Sequence, residues 1–340
     1  MKTLILSLVC IVTLPVLTSC NKESVKKLDP QSARKKLDEL KVEFTEANFL
    51  AHCSADQDGQ LSRTVRVWPP PDIVGIVRLF IAAGMSPNVT NSYGETPLML
   101  ASQKGNVELV KLLIDAGAEV NSSANNLDPS IKGSPSGKTA LIFASESNLL
   151  ASEREGSKFK FDDVEVVRTL LAAGADVNVS ANESPHKGSE VIYPEGIKLP
   201  ENRKISHSAL FFAVVHNKDA VVKLLLEAGA DYNVRDELGY TPLIEASVPA
   251  RERMVRALLD KGADPNSASY AGTTPLMHAS LRGGREVVEM LLNAGADCSQ
   301  KNYYGKTVLE QVQESGIKTF AFTDQSSLAE IAKILTSKCK

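Results

Sequence analysis

Aromatic side chains make up only 5% of this 340-residue sequence, and Trp68 is its one tryptophan. Small aliphatic side chains are therefore expected to do most of the packing. Cysteine is sparse as well: Cys10, Cys20, Cys53, Cys298 and Cys339 contain no C-x-x-C pair, which argues against a structural zinc site. The five histidines, His52, His186, His207, His216 and His278, form no H-E-x-x-H. There is no G-x-S-x-G, no phosphate-cradling glycine loop and no G-x-G-x-x-G. No catalytic set and no cofactor site is therefore expected. Neither sign of charge dominates: 38 Lys and Arg face 41 Asp and Glu, a net of -3, so no global basic field is offered to nucleic acid.

What the chain does have is a period. Gly84, Gly117, Gly174, Gly229, Gly262 and Gly295 recur at spacings of 33, 57, 55, 33 and 33. The two long intervals exceed 33 by 24 and 22, as repeats carrying insertions would. Thr241-Pro242-Leu243 precedes Thr274-Pro275-Leu276 by 33 residues, and Thr307-Val308-Leu309 follows at the same distance. Within one unit, Thr274 to Asn302 reads as two short helices. The first opens at Thr274 and breaks at Gly283-Gly284. The second carries Val287, Val288, Leu291 and Leu292 at helical spacing and stops at Gly295. Neither helix alone can bury its apolar side, so each unit needs neighbours. Four of the glycines are followed by Ala-Asp or Ala-Glu and then an asparagine: Asn121, Asn178, Asn233 and Asn266.

With its 33-residue period and its T-P-L and G-A-D marks, the chain resembles the ankyrin-repeat family from about Phe44 to the C-terminus. The resemblance implies an all-α solenoid of about seven helix-turn-helix repeats: 44–90, 91–123, 124–180, 181–235, 236–268, 269–302 and 303–340. Long inserted loops fall in repeats one, three and four. One departure is regular: the histidine usual after T-P-L is replaced by Met99, Ile142, Phe211, Ile244, Met277 and Glu310. Packing is expected to take over from hydrogen bonding at those apolar positions.

The segments outside the repeats carry separate readings. Residues 1–19 form a leader: Lys2 precedes a 13-residue apolar stretch, Leu4 to Val16, too short to span a bilayer. Leu17-Thr18-Ser19-Cys20 resembles the bacterial lipobox, which would make Cys20 the acylated first residue and the membrane anchor. Asn21 is not aspartate, which points to the outer membrane facing the periplasm. Residues 20–43 are charged and read as a tether, either solvated or resting on anionic headgroups, with a short helix over Ser32 to Leu40. Trp68-Pro69-Pro70-Pro71 reads as a stiff loop whose tryptophan covers the edge of the end repeat or meets a ligand. The inserts Asn125 to Ser136, Leu149 to Asp162 and Ser180 to Lys204 are long enough to be either functional or disordered.

The resemblance also implies function: a non-catalytic scaffold that binds another protein on its concave face and turn tips, with no small-molecule substrate. The alternatives are a periplasmic inhibitor or immunity protein and a structural spacer of the envelope. The tips carry Tyr93, Tyr240, Tyr270, Tyr303 and Tyr304, each suited to a partner or to packing on the next turn. Phe143, Phe212, Glu245 and His278 are expected on the floor of a site centred on repeats three to five. In an oxidising envelope, Cys298 and Cys339 lie one repeat apart at equivalent places and are candidates for a disulfide. Cys53 is expected to stay unpaired and buried.

Overall fold

The structure, a computed structural model, describes residues 28–54, 72–124, 137–146, 162–181, 197, 206–248, 251–282, 284–315 and 325–339. The leader with Cys20, the Trp68 loop and most of each insert lie outside the described residues. The chain divides into two compact units, Met1–Ser86 and Pro87–Lys340.

The first unit begins with α1 (Pro30–Glu39), where Asp29 accepts the N–H groups of Gln31 and Ser32 at 3.0 Å each and Pro30 occupies the first turn. Ala33 and Leu37, one turn apart, are buried against α3 (Ile73–Ala82). Residues 30–39 are therefore part of a folded body. This corrects the reading of 20–43 as a tether along that stretch: an i, i+4 apolar pair inside a charged run suffices to dock a short helix. Arg34 lies 4.6 Å from the centroid of Phe44, which stacks on Phe80 at 5.7 Å. Between them in sequence, α2 (Glu46–Cys53) buries Phe49, Leu50 and Cys53. The Cys53 thiol is free, and burial pushes its pKa up.

The second unit is a stack of helix pairs: α4 (Pro97–Gln103) with α5 (Val107–Asp115), then α6 (Ala140–Glu146) with α7 (Asp163–Ala172). Next come α8 (Ala209–Val215) with α9 (Asp219–Glu227), and α10 (Pro242–Ala246) with α11 (Glu252–Asp260). The last pairs are α12 (Pro275–Arg282) with α13 (Arg285–Asn293), and α14 (Val308–Ser315) with α15 (Gln325–Lys338). First helices pack on first helices and second on second. The T-P-L mark explains itself locally. Threonine is the N-cap: Thr96, Thr241 and Thr274 accept the N–H three residues on, at 3.3, 3.3 and 3.2 Å. Proline follows at the first helical position, where no N–H is needed.

Second helices end as the glycines require. Gly262 and Gly295 sit at φ 96° and 89°, a left-handed conformation that strains any residue with a Cβ. Met99, Ile142, Phe211, Ile244 and Met277 are all buried, so packing does replace the family's histidine. Glu310 is the exception: its carboxylate accepts from the Thr307 N–H at 2.7 Å and hydroxyl at 2.9 Å.

The periodic asparagines join one repeat to the next. Asn121 donates from Nδ2 to the Gly174 carbonyl at 3.0 Å and accepts from the Asp176 N–H at 2.8 Å. Asn88, Asn178 and Asn266 make the same two bonds to the repeats after them. Each satisfies a carbonyl at a helix end that would otherwise need water.

Two small strand pairs accompany the all-α solenoid. Ser123–Ala124 (β1) pairs antiparallel with Lys138–Thr139 (β2), and Ser180–Ala181 (β3) with His207–Ser208 (β4). The inserts of repeats three and four leave from these pairs, because a lengthened turn lets its two stems hydrogen-bond before they part. At the far end Cys298 and Cys339 are bonded, with Cα atoms 5.6 Å apart, which pins the end of α15 to the sixth repeat.

Candidate interaction surface

Two columns of side chains line the first-helix face of the second unit. One column is the residue two places after the leucine of each T-P-L or its variant: Leu100, Phe143, Phe212, Glu245, His278 and Gln311. It changes character half-way. Leu100 is buried, Phe143 is 2% exposed and Phe212 0%, whereas Glu245, His278 and Gln311 are partly exposed. Phe143 and Phe212 therefore belong to the interior and do not form the floor of a docking site. The expected centre on repeats three to five is corrected accordingly.

The second column, of which the sequence reading singled out Tyr240 alone as a contact residue, is the residue just before each T-P-L or its variant: Glu95, Lys138, His207, Tyr240, Thr273 and Lys306. His207, Tyr240, Thr273 and Lys306 keep the 33-residue spacing, and the column was legible as the residue before the N-cap threonine, or serine at His207. Lys138 lies over the two phenylalanines of the buried half. Its side chain is 0% exposed, its Nζ lies 2.5 Å from Glu146 Oε2, and the ammonium sits 4.8 Å from the Phe212 centroid and 5.8 Å from that of Phe143. A lysine that packs its stem and places its charge on two ring faces leaves those rings nothing to offer a partner. Lys306 also pairs with a glutamate eight residues on, Glu314, but there both side chains are exposed. His207, buried, meets Glu237 at 3.0 Å through Nε2, and its Nδ1 has no partner among the described residues.

The open half centres on Tyr240 and His278, whose rings meet edge to face at 5.6 Å. His278 donates from Nδ1 to the Ile244 carbonyl at 2.7 Å, which leaves Nε2 as an acceptor. Burial pushes the His278 pKa down to about 4, helped by the charges of Arg282 and Arg251 and opposed by the bond to Ile244. Burial also raises the Tyr240 hydroxyl pKa, with Glu245 and Asp236 adding to the effect. Arg251 donates to the carbonyls of Val214 at 3.1 Å, Val215 at 3.3 Å and Glu245 at 3.4 Å, joining the ends of two first helices.

The tip tyrosines divide in two. Tyr240 and Tyr270 are partly covered; Tyr270 donates its N–H to Leu238 and its ring lies where a Cβ on Gly239 would stand, 2.8 Å away. Tyr93, Tyr303 and Tyr304 project, at 43%, 43% and 65% exposure, and are the exposed large hydrophobics among the described residues. Tyr303 and Tyr304 meet edge to face at 5.5 Å on the last tip. The Tyr303 N–H donates to Ala271, so adjacent tips are joined through backbone.

The model of three-copy ankyrin repeats matches residues 72–181, 192–269 and 210–302, well over half of the chain. The chain belongs to the ankyrin-repeat family. It is 27% identical over 185 residues to the putative ankyrin repeat protein YahD of Escherichia coli K12, covering 49% of this chain and 80% of that one. It is 31% identical over 178 residues to the mitochondrial disaggregase of Bos taurus, covering 46% of this chain but 22% of that protein. The crystal structure of the human ASB11 ankyrin repeat domain superposes with a TM-score of 0.53 at 22% identity, over 76% of this chain and 92% of that domain, a likeness of fold. Ankyrin repeats are protein-interaction modules, and that coarse function holds for this chain. Among the described residues no three His, Cys, Asp or Glu side chains gather as a metal site would require.

Proposed function

We propose that this protein is a non-catalytic scaffold of the bacterial cell envelope, lipid-anchored through Cys20, that binds another protein on its tips and on the open half of its first-helix face. The observation that carries the binding surface is the exposure of Tyr93, Tyr303 and Tyr304, all on turn tips. Tyrosine gives large contact area at low entropic cost. The adjoining Tyr240–His278 floor is partly open, while Phe143 and Phe212 are closed under Lys138. The envelope reading is supported by Leu17-Thr18-Ser19-Cys20 and by the Cys298–Cys339 bond, since disulfides persist in oxidising compartments.

Photo-crosslinking in the native host tests the surface. A crosslinker at Tyr303 or Tyr304 is expected to trap one discrete partner, while crosslinkers at Lys223 and Glu289 on the second helices trap none. A partner trapped only from the second helices would refute the placement. Cys20→Ser should release the protein from the membrane fraction or stall its processing; normal cleavage with full membrane retention would refute the anchor.

A further inference from the structure

We propose that the open first-helix face of repeats five and six takes an acidic protein segment, one whose aspartate or glutamate carboxylate pairs with Arg282. This rests on the reading of the chain as a binding protein and adds the chemistry of what is bound.

Several cations of that face already have partners. Lys138 is held by Glu146 and Lys306 by Glu314. Arg251 is engaged by three carbonyls, with Glu245 and Asp219 supplying nearby negative charge. Arg282 differs. It ends α12, four residues and so one turn from His278, it is exposed, and no carboxylate pairs with it among the described residues. The titratable groups on this part of the face are Tyr240, Glu245, Arg251, His278 and Arg282, with Asp236 buried behind Tyr240. Both charges that act on His278 are arginines. A carboxylate arriving at the His278–Arg282 end thus meets a positive field and a free guanidinium fork, the geometry that binds carboxylates through two bonds. Glu245, on the neighbouring repeat, repels it and so sets direction.

One free guanidinium beside Tyr240 suits a protein side chain better than a polyanion. Nucleic acid or an anionic membrane would call for several cations in a row; in repeats five and six the neighbouring Arg251 is already engaged by carbonyls, and Lys104, at the place equivalent to Arg282, lies away in the second repeat.

The test is selection from a random dodecapeptide display library on the full-length protein in detergent, followed by affinity measurement with the enriched synthetic peptides. The expected outcome is enrichment of peptides bearing Asp or Glu. Arg282→Glu should weaken them roughly tenfold or more, Arg282→Lys by less, and replacement of the peptide's acid by its amide to the same extent as Arg282→Glu. Arg256→Glu, an equal charge change on a second helix, should leave affinity unchanged. Enriched peptides without carboxylates, or acidic ones indifferent to Arg282→Glu, overturn the proposal and leave the binding role standing. Equal weakening by Arg256→Glu overturns it too, by reducing the effect to net charge. If no peptide is enriched over an unrelated protein, both the acidic-segment site and the binding role fall.

Discussion

Lys138 Nζ and Glu146 Oε2 are 2.5 Å apart, and no surface of Lys138 reaches solvent. The pair joins the strand that opens the third repeat to the end of its first helix, across Phe143 and Phe212. Breaking it from one side takes a carboxylate away from a buried ammonium. Glu146→Gln should therefore destabilise the protein, by about 3 kcal/mol at most, since weakening the compensation of a buried charge costs more than the pair contributes. Lys138→Met together with Glu146→Gln should recover most of that loss. Urea unfolding of Glu146→Gln, Lys138→Met and the double variant measures the coupling; additive losses would mean the two side chains act independently.

Asn266 reaches across a repeat boundary, to the Gly295 carbonyl at 3.1 Å and the Asp297 N–H at 2.6 Å. Both partners are exposed and water can replace the side chain, so Asn266→Ala should cost only about 1 kcal/mol. Its signature is local. Hydrogen exchange at the Asp297 amide should quicken while amides in α9 keep their rates. Unchanged exchange at Asp297 would show that the bond does not hold the boundary.

Gly295 isolates backbone strain, because an added Cβ would meet nothing within 4 Å at φ 89°. Gly295→Ala should lower stability by about 1–2 kcal/mol through conformation alone. A variant as stable as the parent in thermal unfolding would mean the helix can end there without a left-handed residue.

Which parts of this were readable beforehand follows from how local each cause is. The helix ends were, because Gly262 and Gly295 answer to their own φ. The threonine caps were, because they bond three residues away. The joining asparagines were visible as a pattern, but their role was not, since each partner lies in the next repeat. The same distance hid the fate of Phe143 and Phe212: both occupy the position that Glu245 and His278 share, and Lys138, reaching from the adjoining column, lies over both rings. Helix α1 was partly readable from Ala33 and Leu37, yet the surrounding charges concealed that it docks.

His278 couples stability to pH. Its folded pKa, held down to about 4, lies below the ordinary imidazole value of 6.5. The folded state therefore binds fewer protons than the unfolded chain between those values, and stability is present above about pH 6.5 and lost as pH falls toward 4. His52, also lowered by burial, acts in the same direction in the first unit. His278→Asn should flatten the fall in urea midpoint between pH 7 and 4.5. An equally steep fall in the variant would assign the acid sensitivity to other groups.

The Cys298–Cys339 bond closes a loop with a sequence separation of 41, a loop that contains the whole last helix pair. A terminal repeat has a neighbour on one side only, so it is the part of a stack that unravels first. Helix α15 is also held by buried Leu328, Ile331 and Leu335, by Lys338 at 3.0 Å from Asn293, and by Arg285 at 3.4 Å from Glu330. The last two are exposed polar links of small worth. Chain entropy assigns a loop of this length roughly 4 kcal/mol. Reduction with a phosphine, or Cys298→Ser, should accordingly speed hydrogen exchange and proteolysis in α15 far more than in α9, with the earlier repeats still folded. If α15 stays as protected after reduction as before, its apolar face alone holds it, and the disulfide is incidental to the end of the stack.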